Sequence, residues 1–162
     1  MAITFNLDEI FEMAEQIERN AAKFYHEASK KASDKKIIKT FIDLAAMEDG
    51  HMKTFQDMRK ALSPEEKDTT AFDPENQAVL YLQAMADSHG TEGKKERDVM
   101  LTGSESLREV FEIAITAEKN SVVFYTALKE LVEQTGRDKV DTIINEELGH
   151  LALLKLHLAS IG

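Results

Sequence analysis

Two short patterns in this sequence have the residue types and spacing for chemistry. Glu48-Asp-Gly-His51 and Glu147-Leu-Gly-His150 each place a carboxylate three residues ahead of an imidazole. On a helix that spacing puts both groups on one face, a turn apart. Two more glutamates, Glu18 and Glu118, stand in stretches that are otherwise apolar at helical spacing. An unpaired carboxylate in a helical core costs several kcal/mol even after relaxation, and four together repel. The apolar stripes around them carry no Lys or Arg, so the simplest remedy is bound cation. Four carboxylates and two imidazoles can neutralise and coordinate two divalent ions, because a carboxylate can bridge. Any one of these residues alone reads more simply as a solvated glutamate or a satisfied core histidine. Their recurrence as a matched set argues for a site.

The elements that must position them are helices. The chain has 162 residues with 7 Gly and 2 Pro, and both prolines, Pro64 and Pro74, fall in one central stretch. Two long segments, roughly 6–62 and 104–161, are left free of strong breakers. Asn6 with Glu9 reads as a capped helix start, and Ser33-Asp34 as a second one. A third start lies around Ser104-Glu-Ser106, and Gly136 reads as the residue that closes the third long helix. Helices are therefore expected near 7–32, 34–61, 105–134 and 137–160. Their buried stripes run through Phe11, Ala14, Glu18, Ala21 and Tyr25 in the first, and Phe41, Leu44, Glu48, His51 and Phe55 in the second. In the third they run through Phe111, Ala114, Glu118, Ser121 and Tyr125, and in the fourth through Ile143, Glu147, His150, Leu154 and His157. Glu18 and Glu48 are equidistant from Ser33, so they meet at one level. The midpoint of Glu118 and Glu147 falls a few residues ahead of Gly136, a small mismatch.

The two halves repeat each other. Phe11, Glu12, Ala14, Glu18, Asn20, Phe24 and Tyr25 recur as Phe111, Glu112, Ala114, Glu118, Asn120, Phe124 and Tyr125 at an offset of 100. The two Glu-x-x-His patterns follow at an offset of 99. A duplicated hairpin with pseudo-two-fold symmetry is the expected architecture: an all-α four-helix bundle in a single domain, 1–162. Its first hairpin covers about 6–62 and its second about 104–161. Residues 63–103 form a connector with a short helix near 75–87, long enough to cross between bundle ends. Gly50 and Gly149, mid-helix beside each histidine, fit either a close helix approach or inheritance through duplication. His157 is expected as a satisfied core or interface histidine, and His26 and His89 as exposed.

Composition removes several alternatives. Twenty basic against thirty acidic residues give a net charge of −10, which argues against nucleic acid and anionic membranes as partners. The absence of Cys excludes thiolate metal sites, iron–sulfur clusters and cysteine nucleophiles in this chain. No run of about 18 apolar residues is present, and MAITFNLDEI lacks a basic segment ahead of an apolar one. A cytoplasmic location is expected.

Single glutamates on the first and third helices with Glu-x-x-His on the second and fourth resemble the ferritin-like di-iron carboxylate proteins. Within them the chain is similar to the rubrerythrins, in IERNAAKFY and AEKNSVVFY, MEDGH and EELGH, and the long connector. The resemblance implies Glu18, Glu48, His51, Glu118, Glu147 and His150 as metal ligands, with Glu48 and Glu147 bridging two iron ions. Zinc or manganese are possible substitutes. It also implies Tyr25 and Tyr125 beside the metals, and a homodimer in which the connector could let two chains exchange hairpins. The activity implied is reduction of hydrogen peroxide or dioxygen, a role in oxidative stress. Lacking the four Cys of a rubredoxin iron, the chain would draw electrons from an external, rubredoxin-like donor. Ser121 stands where typical rubrerythrins carry a further glutamate three residues after the helix-three ligand, which puts the usual ligand switch in doubt. Two other readings stay open: an iron-oxidising store, which would be expected to carry a fifth helix, and a non-redox dinuclear metal site.

Overall fold

The computed structural model describes residues 6–68 and 101–161. They form α1 (Leu7–Lys31), α2 (Lys35–Ala61), a five-residue α3 (Pro64–Asp68), α4 (Leu107–Leu131) and α5 (Gln134–Ser160). No strand occurs among the described residues. The helix starts are set locally. Asn6 and Ser106 each close a reciprocal capping box with Glu9 and Glu109, and Asp34 accepts from the Lys36 and Ile37 amides. Each such cap is worth about 1 kcal/mol.

The third long helix ends earlier than the sequence indicates. α4 stops at Leu131, with Val132 extended as its cap (φ −108°, ψ 158°). Gly136 is not a terminator; it lies in the first turn of α5. A Cβ there would meet Val132 Cβ at 3.1 Å, so the glycine serves the tight approach of the two helix ends. A glycine at a helix junction has the same signature for either role, which is why spacing alone misplaced the boundary. With the turn at Val132–Glu133, Glu118 and Glu147 become equidistant from it, and the mismatch in level disappears. The connector also opens with α3, which the sequence reading did not anticipate. The short helix expected near 75–87, and His89, lie outside the described residues.

α1 packs along α2 and α4 along α5, and the hairpins meet through α1 with α4 and α2 with α5. The buried apolar side chains form two separate clusters. One combines the end of α1 (Tyr25, Ala28), the start of α2 (Phe41, Leu44), the start of α4 (Val110, Phe111) and the end of α5 (Leu154, Leu158). The other combines the opposite ends: Phe11 and Ala14, Phe55 and Met58, Tyr125 and Leu128, Val140 and Ile143. This grouping makes α1 antiparallel to α4 and α2 antiparallel to α5. It therefore sets the pseudo-two-fold axis across the bundle, with α4 starting at the end opposite the one where α2 finishes. Tilted aromatic pairs knit each cluster, Phe41–Phe111 and Phe55–Tyr125 each at 5.0 Å between ring centres. Between the two apolar clusters lies a polar layer.

Nearly every stripe residue expected from the sequence is buried; Ala21 is half-buried, and its neighbour Ala22 takes the core position. Gly50 and Gly149 are a different matter. Among the described residues nothing lies within 4 Å of a Cβ placed at either, so the close-approach explanation fails and shared ancestry of the two halves remains. Gly50→Ala and Gly149→Ala should each stabilise the protein by about 1 kcal/mol through helix propensity. Urea denaturation of the two single variants measures it.

Candidate metal centre

The polar layer contains all six of the expected side chains, and a single chain supplies them. Glu18 comes from α1, Glu48 and His51 from α2, Glu118 from α4, and Glu147 and His150 from α5; each is at most 4% exposed. No exchanged hairpin is needed to complete the cluster. The donors fall into two groups of four. One holds Glu18, Glu48, His51 and Glu147, the other Glu48, Glu118, Glu147 and His150, with candidate donor atoms in each group within 4.8 Å of one another. Glu48 and Glu147 belong to both.

The geometry of the sharing is specific. His51 Nδ1 lies 3.1 Å from Glu48 Oε2 and 3.0 Å from Glu147 Oε1. His150 Nδ1 lies 3.1 Å from Glu48 Oε1 and 3.2 Å from Glu147 Oε2. Each shared carboxylate thus turns one oxygen to each histidine, while Glu18 and Glu118 each approach only the histidine of their own hairpin, at 3.6 Å. The imidazoles face each other nearly parallel, ring centres 5.8 Å apart. Hard carboxylate oxygens with two imidazole nitrogens, buried and without a Lys or Arg among them, fit a pair of first-row divalent ions. Glu48 Oε1 is buried and, although His150 Nδ1 lies 3.1 Å away, has no well-aligned hydrogen bond, which leaves acceptor capacity facing the same space.

Electrostatics sort the four carboxylates into two kinds. Burial drives Glu18 well above the usual carboxylate range, opposed by the bond from His51 and reinforced by repulsion from Glu48 and Glu147. Burial likewise raises Glu118, reinforced by Glu147. Burial opposes ionisation of Glu48 and Glu147 too, but bonds from both histidines, and from Glu118 in the case of Glu147, hold the pair below the usual range. Burial disfavours the charged imidazoles, yet the surrounding carboxylates prevail: His150 is pushed up to about 12 and His51 is raised as well. Without metal the cluster therefore leans toward balance, with protons favoured on both imidazoles and on Glu18 and Glu118, and negative charge favoured on Glu48 and Glu147.

Tyr25 and Tyr125 sit beside this layer in a crossed arrangement that the sequence did not disclose. Tyr25 donates to Glu118 and Tyr125 donates to Glu18, each tyrosine serving the single glutamate of the other repeat. The hydroxyls are held by burial, which raises both above their ordinary value. Tyr125→Phe would leave a buried acceptor on Glu18 unsatisfied, at a cost of about 1–3 kcal/mol, and free that carboxylate to rotate. A lower denaturation midpoint for the metal-free variant would register it.

Other residues resolve simply. His157 bonds Thr40 Oγ1 at 3.0 Å and stacks on Phe111, a satisfied histidine away from the cluster, and His26 is exposed. Ser121 is buried but donates to the Ala117 carbonyl at 3.1 Å and contributes no carboxylate. One participant escaped the sequence reading: Glu146, whose Oε2 lies 2.7 Å from His51 Nε2. A half-exposed glutamate beside another reads as a solvated surface charge, and only the packing of α5 on α2 brings it to the histidine.

Two single-glutamate helices and two Glu-x-x-His helices around one buried cluster define a ferritin-like carboxylate bundle. Comparison with known proteins agrees. The rubrerythrin family profile matches residues 9–92, and the chain belongs to that family. The matched stretch holds Glu18, Glu48 and His51; the second hairpin carries its counterparts through the internal repeat. A solved structure from Thermotoga maritima, described as a ferritin-like diiron-carboxylate protein, superimposes with a TM-score of 0.73. It is 26% identical, with 100% of both chains covered. No curated protein matches the chain significantly. No described helix is long and apolar enough to cross a membrane.

Proposed function

We propose that the cluster holds two iron ions and that the protein is an oxidoreductase reducing hydrogen peroxide or dioxygen with electrons from an external donor. One observation carries this reading: the two oxygens of Glu48 and of Glu147 divide between His51 and His150, the disposition of carboxylates that bridge two ions. Glu18 with His51, and Glu118 with His150, complete the two positions. Two ferrous ions held there would supply the two electrons that, with two protons, convert one peroxide molecule to two of water. The chain's own part is to fix the donors and exclude bulk water. Tyr125 and Tyr25 hold the Glu18 and Glu118 carboxylates in place, and the apolar clusters seal the layer from both ends. With no Cys in the sequence, electrons return from a separate protein of rubredoxin type. Ser121 offers no alternative carboxylate, so turnover on this reading keeps the same donor set throughout. Zinc or manganese would fit the same groups without the redox step. Self-association as a homodimer belongs to the same reading, supported by exposed Leu148, Leu153 and Leu156 on α5, and sedimentation measures it.

The test is an anaerobic ferrous titration of metal-free protein followed by one addition of peroxide under optical observation. A break at about two irons per chain with rapid ferric absorption is expected from a redox-active pair. No break, or a break without colour, would make the cluster a structural or zinc-type site.

A further inference from the structure

The two halves of the cluster match in their donors but not in what stands behind the histidines. With each Nδ1 turned to the shared carboxylates, each Nε2 points away from them. His51 Nε2 meets Glu146 Oε2 at 2.7 Å, where a groove of about 440 Å³ between α2 and α5 leaves the Glu146 side chain 44% exposed. His150 Nε2 is buried and has no partner among the described residues. The repeat explains the difference. At the offset of 99 that relates His51 to His150, the counterpart of Glu146 is Met47, whose thioether is a poor acceptor.

We propose that Glu146 is a positioning residue that makes the two ion positions unequal, so that the His51 position takes its divalent ion first and more tightly. This rests on the two-ion reading above. A carboxylate bonded to the outer nitrogen keeps the proton on Nε2, fixes the ring with Nδ1 free to ligate, and raises its basicity. His150 has none of these aids, and its orphaned N–H is a buried donor without compensation. The difference therefore falls on one ion only.

Cobalt(II) titration of the metal-free protein tests this, followed by calorimetry and by the visible cobalt spectrum. The wild-type protein is expected to bind two ions in two resolved steps. Glu146→Ala should weaken the first step by about 10–100-fold, the usual penalty for losing such a partner, and leave the second unchanged. Met47→Glu should tighten the second step and bring the two together, a gain that a merely structural role for Glu146 would not produce. Two equal steps in the wild type, or a Glu146→Ala titration that overlays it, overturn the inference and leave the two-ion reading intact. Binding of fewer than two ions by the wild type overturns both. Glu146 is half-exposed, and melting of the metal-free variants checks that they fold.

Discussion

Glu48→Gln is expected to cost the protein both divalent ions, whereas Glu18→Gln should cost only one. Glu48 turns an oxygen to each histidine, so its loss removes a donor and a charge from both positions at once; Glu18 approaches His51 alone. After gel filtration, metal analysis should find well under one ion per chain in the first variant and about one in the second. In metal-free protein the same variants separate for a different reason. Glu48 and Glu147 are the carboxylates held ionised by the histidines. Removing either charge leaves a buried imidazolium uncompensated, at about 3–5 kcal/mol. Burial favours the neutral form of Glu18 and Glu118, so an amide of the same shape should cost less there than at Glu48 or Glu147. Urea denaturation after chelation would reverse this assignment if Glu18→Gln proved as damaging as Glu48→Gln.

Loading two divalent ions near neutral pH should release at least two protons, from His51 and His150, together with whatever protons Glu18 and Glu118 retain. With both ions bound, two divalent cations stand against four carboxylates and the charges balance. Calorimetry in two buffers of different ionisation enthalpy counts the protons, and a release of one or none would contradict the assignment. The metal-free protein should consequently lose stability as pH rises. Both histidines are raised above their ordinary 6.5, so their contribution is complete below 6.5 and declines as pH climbs toward their folded values. Glu18 and Glu118 are raised above 4.5 and act in the same direction from that point. Glu48 and Glu147 are lowered; their contribution is present above 4.5 and fades in acid. Melting of chelated protein should peak near pH 4.5 and decline above it, more steeply beyond 6.5, each retained proton changing the slope by about 1.4 kcal/mol per pH unit. Metal affinity should rise over the same range, so the gap between loaded and free protein widens with pH.

Much of this centre is legible in one dimension because its parts obey local rules. A glutamate on an apolar stripe with a histidine three residues on must share a helix face, whatever the partner helices do. The capping residues Asn6, Asp34 and Ser106 act within their own turns, and each heads the helix it announces. The repeat then converts one hairpin into a bundle and its single glutamate and Glu-x-x-His into a matched set of six. The junction of α4 and α5 was less legible, since Gly136 answers to a contact with Val132.

The amino-acid sequence by itself determined the four helices, their buried faces and the six candidate donors, because helical period and burial energetics depend on residue type and spacing. The tertiary structure alone decided that α1 runs against α4 and α2 against α5, since only packing chooses between the ends a long connector can reach. From that choice follow the crossed bonds of Tyr25 to Glu118 and Tyr125 to Glu18. It also decided which glutamates stand between both histidines and which are pushed toward the neutral form, because ionisation depends on distances between helices. The contact of Glu146 with His51 belongs there too: a surface charge in the sequence meets a buried imidazole only where α5 crosses α2.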